Sequence, residues 1–213
     1  MAKPIYCISG LGADHRIFKK LSIKNAELIH VPWLGYDKDE SVSHYAEKLS
    51  AKIPGDNPII LGLSFGGMLA VEIAKHRTTD KIFLVSSSKT ANELPPLKGF
   101  LKFIIQSNLL PAGLFTIPNR FIFERFGADN KEKRELLAEI LKDTDGGFVK
   151  WALRALLSWN NTTYPGNVIH IHGTADKILL SELVHPDYWI KNGTHLMVYD
   201  RADEVSNIIS NSI

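Results

Sequence analysis

The stretch Leu61-Gly62-Leu63-Ser64-Phe65-Gly66-Gly67-Met68 follows the run Pro58-Ile59-Ile60 and leads into a run that stays apolar almost to Ala74. Glycine or serine at 62, 64, 66 and 67 marks a tight reversal between two buried segments. The segment before it is short and isoleucine-rich, which reads as a buried strand. The segment after it is longer and apolar on nearly every side, which reads as a central helix. A strand that turns abruptly into a buried helix is the local unit of a parallel, helix-covered sheet.

The same alternation runs along the chain. Short apolar runs recur at residues 5–8, 28–31, 59–61, 82–85, 168–171 and 188–190. They are apolar throughout rather than alternating, as expected of strands buried on both faces. Between them, Val42, Tyr45, Leu49 and Ile53 recur at spacings of three and four behind a candidate N-cap, Ser41. Val205, Ile208 and Ile209 give a last amphipathic helix. The expectation is an α/β fold: a three-layer, doubly wound, mostly parallel sheet of about six strands.

One interval departs from this rhythm. From Ala91 to Tyr164 no strand pattern occurs, and helical patterns over 100–104, 136–141 and 148–159 are punctuated by Pro95, Pro96, Pro111 and Pro118. The expected division is a core of residues 1–90 and 165–213, with a helical cap, 91–164, inserted after the fourth strand.

Composition narrows the function. A chain of 213 residues with 45% apolar and 23% charged residues suits one sizeable domain. A formal net charge of +2 gives no reason to expect a nucleic-acid partner or an acidic membrane surface. Cys7, the single cysteine, cannot pair within the chain, so a reducing, cytoplasmic setting and an inert buried thiol are expected. Met-Ala-Lys-Pro enters the first strand at once, so no signal peptide is expected, and no apolar run approaches the ~20 residues of a membrane span. Oligomeric state is not legible.

Between a strand and a helix, Gly62-x-Ser64-x-Gly66 has the placement of a nucleophile elbow. A sharp turn there aims the serine hydroxyl into open space, and side chains at 62 and 66 would collide between strand and helix. A serine hydroxyl is a weak nucleophile at neutral pH and needs a base, itself oriented by a carboxylate. Of eight histidines, His195 lies between the last expected strand and the last helix, at the sheet end where the elbow lies. Asp176 follows the fifth strand by a short turn, and Asp200 and Asp203 are less well placed. His15 follows the first strand as a pocket candidate. His170 and His172 alternate on one face of the fifth strand with no third metal ligand nearby, so they read as sheet-packing residues or supports behind the site. No metal is expected.

Taken together, Gly62-Leu63-Ser64-Phe65-Gly66-Gly67, Ser9-Gly10-Leu11-Gly12, His172-Gly173-Thr174-Ala175-Asp176 and Gly193-Thr194-His195 resemble the α/β-hydrolase fold enzymes over nearly the whole chain. The resemblance implies a catalytic set Ser64, Asp176, His195 and an oxyanion hole from the backbone N–H groups of Phe65 and Leu11. It implies a compact version of that fold, lacking two antiparallel strands that often open it. Ser9 stands where many relatives have histidine, and Leu179-Leu180 where they often have proline. The expected activity is hydrolysis of a small or medium, apolar carboxylic ester or thioester, a small-molecule substrate, without cofactor. Phe100 and Trp151 of the cap are pocket candidates. Amide or carbon–carbon bond hydrolysis, and a ligand-binding member with little turnover, stay open as alternatives.

Overall fold

The computed structural model describes residues 2–96 and 111–213, so Phe100 and the helical pattern over 100–104 lie outside the described residues. Six strands form one sheet: β1 (Lys3–Ile8), β2 (Ala26–His30), β3 (Ile59–Leu63), β4 (Lys81–Val85), β5 (Val168–Gly173) and β6 (Tyr188–Ile190). Their order is β2-β1-β3-β4-β5-β6, and every pair is parallel. The chain passes from β1 to one side and then returns to the other side with β3. That reversal opens a crevice beyond the carboxyl ends of β1 and β3, the usual ligand position in such sheets.

The unbroken apolar runs are explained by burial on both faces. Tyr6, Ile8, Ile60, Ile82 and Leu84 point into one apolar cluster, whereas Ile5, Cys7, Leu61, Phe83 and Val85 point into the other. The first cluster is closed by α1 (Val42–Ser50) and α2 (Phe65–His76), with Tyr45, Leu49, Leu69 and Ile73 inside it. Ser41 caps α1 through a hydrogen bond from the His44 N–H. Every residue of α2 from Phe65 to Ile73 is buried, which accounts for its lack of a polar face.

Among the described residues of the interval after β4 lie three α-helices, α3 (Arg120–Phe126), α4 (Lys131–Asp143) and α5 (Gly146–Leu157). Asn119, Asn130 and Asp145 cap them, each accepting a hydrogen bond from a first-turn N–H. Helix α4 presents Leu136, Leu137 and Ile140 to the second cluster, and α5 presents Phe148, Trp151 and Ala155 to the first. The chain ends with α6 (Met197–Asp200) and α7 (Ala202–Ser210), whose Met197, Val205 and Ile209 complete the second cluster. Among the described residues no helix is long and apolar enough to cross a membrane.

Candidate active site

Ser64 joins β3 to α2 with φ 52° and ψ −119°, a region that residues with a side chain rarely occupy. Its neighbours hold it there. The Ser64 N–H donates to Val85 O at 3.0 Å, and its carbonyl accepts from Ser87 Oγ at 2.6 Å and from the Gly67 N–H at 3.0 Å. The flanking glycines are a packing requirement. A Cβ on Gly62 would strike the Gly67 backbone, and one on Gly66 would strike the carbonyls of Ile8 and Ser9. The strand-to-helix turn is therefore wedged between β1 and its own helix, with Ser64 at the apex.

His195, in the turn after β6, reaches Ser64 Oγ through Nε2 at 3.0 Å. Its Nδ1–H donates to Asp176 Oδ2 at 2.8 Å. The other Asp176 oxygen accepts the N–H groups of Ile178 at 2.8 Å and Leu179 at 3.0 Å. Asp176 and His195 are each only 4% exposed. Burial alone pushes the Asp176 carboxyl up. The charge and hydrogen bond of His195, helped by His172 and the Ile178 N–H, outweigh it and hold the carboxyl below its usual range. An ionised Asp176 only accepts, so Nδ1 of His195 carries the proton and Nε2 presents a lone pair to the serine hydroxyl. That arrangement can take a proton from Ser64 Oγ.

The turns after β1 and β3 meet here. Leu11 and Phe65 both line the space beside Ser64, and neither N–H donates to another described residue. Ser9, in the position where relatives often carry histidine, closes its turn by donating to Ala13 O at 2.7 Å. Thr144 Oγ1, at the end of α4, donates to Gly12 O and ties the same turn to the helical segment. Ser64 and His195 open on a cavity of about 540 Å³. Its walls are apolar: Met68 and Leu94, Leu137 and Ile140 of α4, Leu153 and Leu156 of α5, and Ile178 and Leu179 beside Asp176. Trp159 closes one side, anchored by its Nε1–H donating to the buried carboxylate of Glu72 on α2 at 2.7 Å.

Two pocket candidates lie elsewhere. His15 opens a short 3-10 turn capped by Asp14, which swings its ring outward, and its side chain is 74% exposed. Trp151 sits on the face of α5 turned from the cavity, among Tyr36, Tyr45, Phe65 and Phe148, with its Nε1–H donating to Glu40 O. Helix α5 has apolar residues on two faces, and the cavity belongs to the face with Leu153 and Leu156. Phe126, which meets the His195 ring edge-on at 5.3 Å, carried no sequence signal. Trp159 was visible only as the last apolar residue of the α5 pattern.

Solved structures share this architecture. An N-acyl homoserine lactonase, AidH, crystallised with N-butanoyl homoserine, is 14% identical with a TM-score of 0.74, over 99% of this chain and 88% of that one. A lipase-esterase related protein from Clostridium acetobutylicum is 19% identical with a TM-score of 0.72, over 99% and 94%. An esterase from Exiguobacterium antarcticum is 16% identical with a TM-score of 0.72, over 99% and 92%. No curated protein matches the chain in sequence. At these identities the structures speak to fold alone. The sequence profile of the alpha/beta hydrolase family, however, matches residues 5–208. The chain belongs to the alpha/beta hydrolase family.

Proposed function

We propose that the chain is a serine hydrolase that cleaves a small or medium, apolar carboxylic ester or thioester through an acyl-enzyme. The observation that carries this reading is the continuous hydrogen-bonded chain from Ser64 Oγ through His195 to Asp176, opening on an apolar cavity. In this reading Ser64 Oγ attacks the carbonyl carbon as His195 Nε2 takes its proton. Asp176 holds the imidazole in the required tautomer and stabilises it once charged. The N–H groups of Phe65 and Leu11 receive the oxyanion, each worth ~3 kcal/mol in comparable sites. Collapse of the tetrahedral intermediate expels the alcohol or thiol, which His195 protonates. Water, activated by the same histidine, then releases the acid and restores Ser64.

Helices α4 and α5 form a cap over the carboxyl end of the sheet in this reading, and their leucines and isoleucine receive the acyl chain. A cavity of this size lies within the ~300–1,000 Å³ range of small-molecule sites. Proteins of this fold with solved structures include an esterase and a lipase-esterase related protein. The test is turnover of p-nitrophenyl acetate, butyrate and octanoate by the wild type and Ser64→Ala, with fluorophosphonate labelling mapped by peptide mass spectrometry. Label on Ser64 and loss of turnover in Ser64→Ala are expected. Equal turnover by Ser64→Ala, or label on another serine, overturns the reading.

A further inference from the structure

Behind Asp176 lies a pair of histidines that the proposed chemistry does not use. His170 and His172 are fully buried on β5, on the strand that delivers Asp176. His170 Nε2 lies 3.1 Å from His172 Nδ1, and His172 Nε2 lies 2.9 Å from the Leu179 carbonyl. The protons in this chain follow from the last contact. A carbonyl only accepts, so His172 Nε2 carries a proton. Burial holds His172 in its neutral form, so it has one N–H, and its Nδ1 is a bare acceptor. His170 then donates through Nε2, which leaves its own Nδ1 bare, close to the Ser87 backbone but with no hydrogen bond of good geometry among the described residues.

The Leu179 carbonyl is where this chain reaches the site. Residues 176–179 form a tight turn in which Asp176 Oδ1 accepts the N–H groups of Ile178 and Leu179. Those bonds fix the carboxylate relative to its own turn but not relative to the sheet. The Asp176 N–H donates to Gly173 O of β5 at 3.3 Å and ties the start of the turn, and His172 ties its far end at Leu179. Its Nε2 also lies 3.6 Å from Asp176 Oδ2, too far for a hydrogen bond but close enough for its N–H dipole to face the oxygen that His195 uses. The His172 ring is held edge-on between His170 and Trp189, at centroid distances of 5.1 and 6.0 Å.

We propose that His172 is a positioning residue for the acid, anchoring the 176–179 turn to the sheet through the Leu179 carbonyl, and that His170 fixes the tautomer in which it does so. This inference rests on the reading of Asp176 as the acid that orients His195.

The test compares His172→Phe, His172→Gln and His170→Phe, each checked for folding by circular dichroism. Gln retains an N–H donor near the position of His Nε2, whereas Phe retains the volume without the donor. With p-nitrophenyl butyrate, His172→Phe should lose about 10–100-fold in kcat, as supporting partners of functional groups commonly do and less than the ~10⁴ of losing the acid itself. KM should stay within about threefold, since no substrate contact changes. His172→Gln should recover most of kcat, which a packing role would not allow.

Two NMR signatures follow the same question without turnover. The low-field proton of His195 Nδ1–H should shift in His172→Phe and return in His172→Gln. Long-range ¹H–¹⁵N spectra should show a single Nε2–H tautomer for His172 in the wild type and a mixture in His170→Phe. If the chain hydrolyses nothing, the mechanistic reading fails while these spectra still decide the anchoring. Should His172→Phe not fold, His170→Phe decides it. Unchanged kcat in folded His172→Phe, an unchanged His195 proton, or a pure Nε2–H tautomer with full kcat in His170→Phe overturns the proposal.

Discussion

In the proposed reading Ser64 sets stability against chemistry in one residue, and the two substitutions Ser64→Gly and Ser64→Ala separate them. Both remove the 3.0 Å contact from Oγ to His195 Nε2, so that loss cancels in their comparison. What differs is the Cβ at φ 52°, ψ −119°. Holding a residue with a Cβ in such a region costs about 1–3 kcal/mol. Glycine escapes that cost and forfeits about 0.5–1 kcal/mol through its more flexible unfolded chain. The Cβ borders the open cavity, so little packing is lost with it. The net expectation is that Ser64→Gly is more stable than Ser64→Ala by about 1 kcal/mol, or about 3 °C in Tm for a chain of this size. Urea titration and differential scanning calorimetry on both variants measure it. Both should be inactive, so stability alone is read. A Ser64→Ala protein as stable as Ser64→Gly, or more so, would show that the surrounding structure does not strain this residue, and the elbow argument would fail.

Asp176→Asn should lower kcat by about 10⁴ with the fold intact, because Asn can leave His195 in the wrong tautomer; full activity would move the acid elsewhere. Leu156→Trp should shorten the cavity. At about 0.8 kcal/mol per excluded methylene, loss of two methylene sites lowers kcat/KM for octanoyl esters about 15-fold while acetyl ester turnover holds; equal losses for both would refute the acyl placement. Stability should fall on mild acidification. Burial, together with His172 and Lys89, pushes His170 down to about 2, and burial lowers His172 as well, whereas both titrate near 6.5 when unfolded. Below about pH 6.5 the unfolded chain binds more protons, so each histidine removes up to ~1.4 kcal/mol per pH unit as pH falls. Urea unfolding from pH 8 to 5 measures this, and His170→Gln should remove about half of the histidine-dependent slope. An unchanged slope in that variant would place the titrating group elsewhere.

The central strands β3 and β4 were legible because they are apolar on both faces, a pattern that a parallel sheet imposes, and the edge strands β2 and β6 showed only as short apolar runs. The Ser64 turn was legible because Gly62 and Gly66 face backbone atoms at contact distance, so only glycine fits. The spatial convergence of Ser64, Asp176 and His195 followed from their positions at the carboxyl ends of β3, β5 and β6. Other parts were hidden for physical reasons. Trp151 and Leu156 share a helix with two apolar faces, and periodicity does not say which face meets the core and which a cavity. His15 is turned outward by Asp14, whose cap forms only in three dimensions. The partner of His172 is a main-chain carbonyl, which carries no sequence identity at all. Phe126 reaches His195 across a large sequence separation, with nothing local to announce it.

The three groups at the site are not equally secured. Ser64 leaves β3, which has a parallel neighbour on each side, whereas His195 leaves β6, a three-residue strand at the rim paired only with β5. Tyr188 and Trp189 on that strand stand 43% and 47% exposed. The rim can detach while the centre of the sheet stays folded, because β6 is three residues long and pairs along one side only. Heating should therefore abolish turnover before it melts the protein, with amides around 188–195 exchanging faster than those of β3 and β4. In practical terms, the operating temperature of this chain should be set by β6, and a substitution that lengthens or clamps that strand should extend it without touching Ser64, Asp176 or His195.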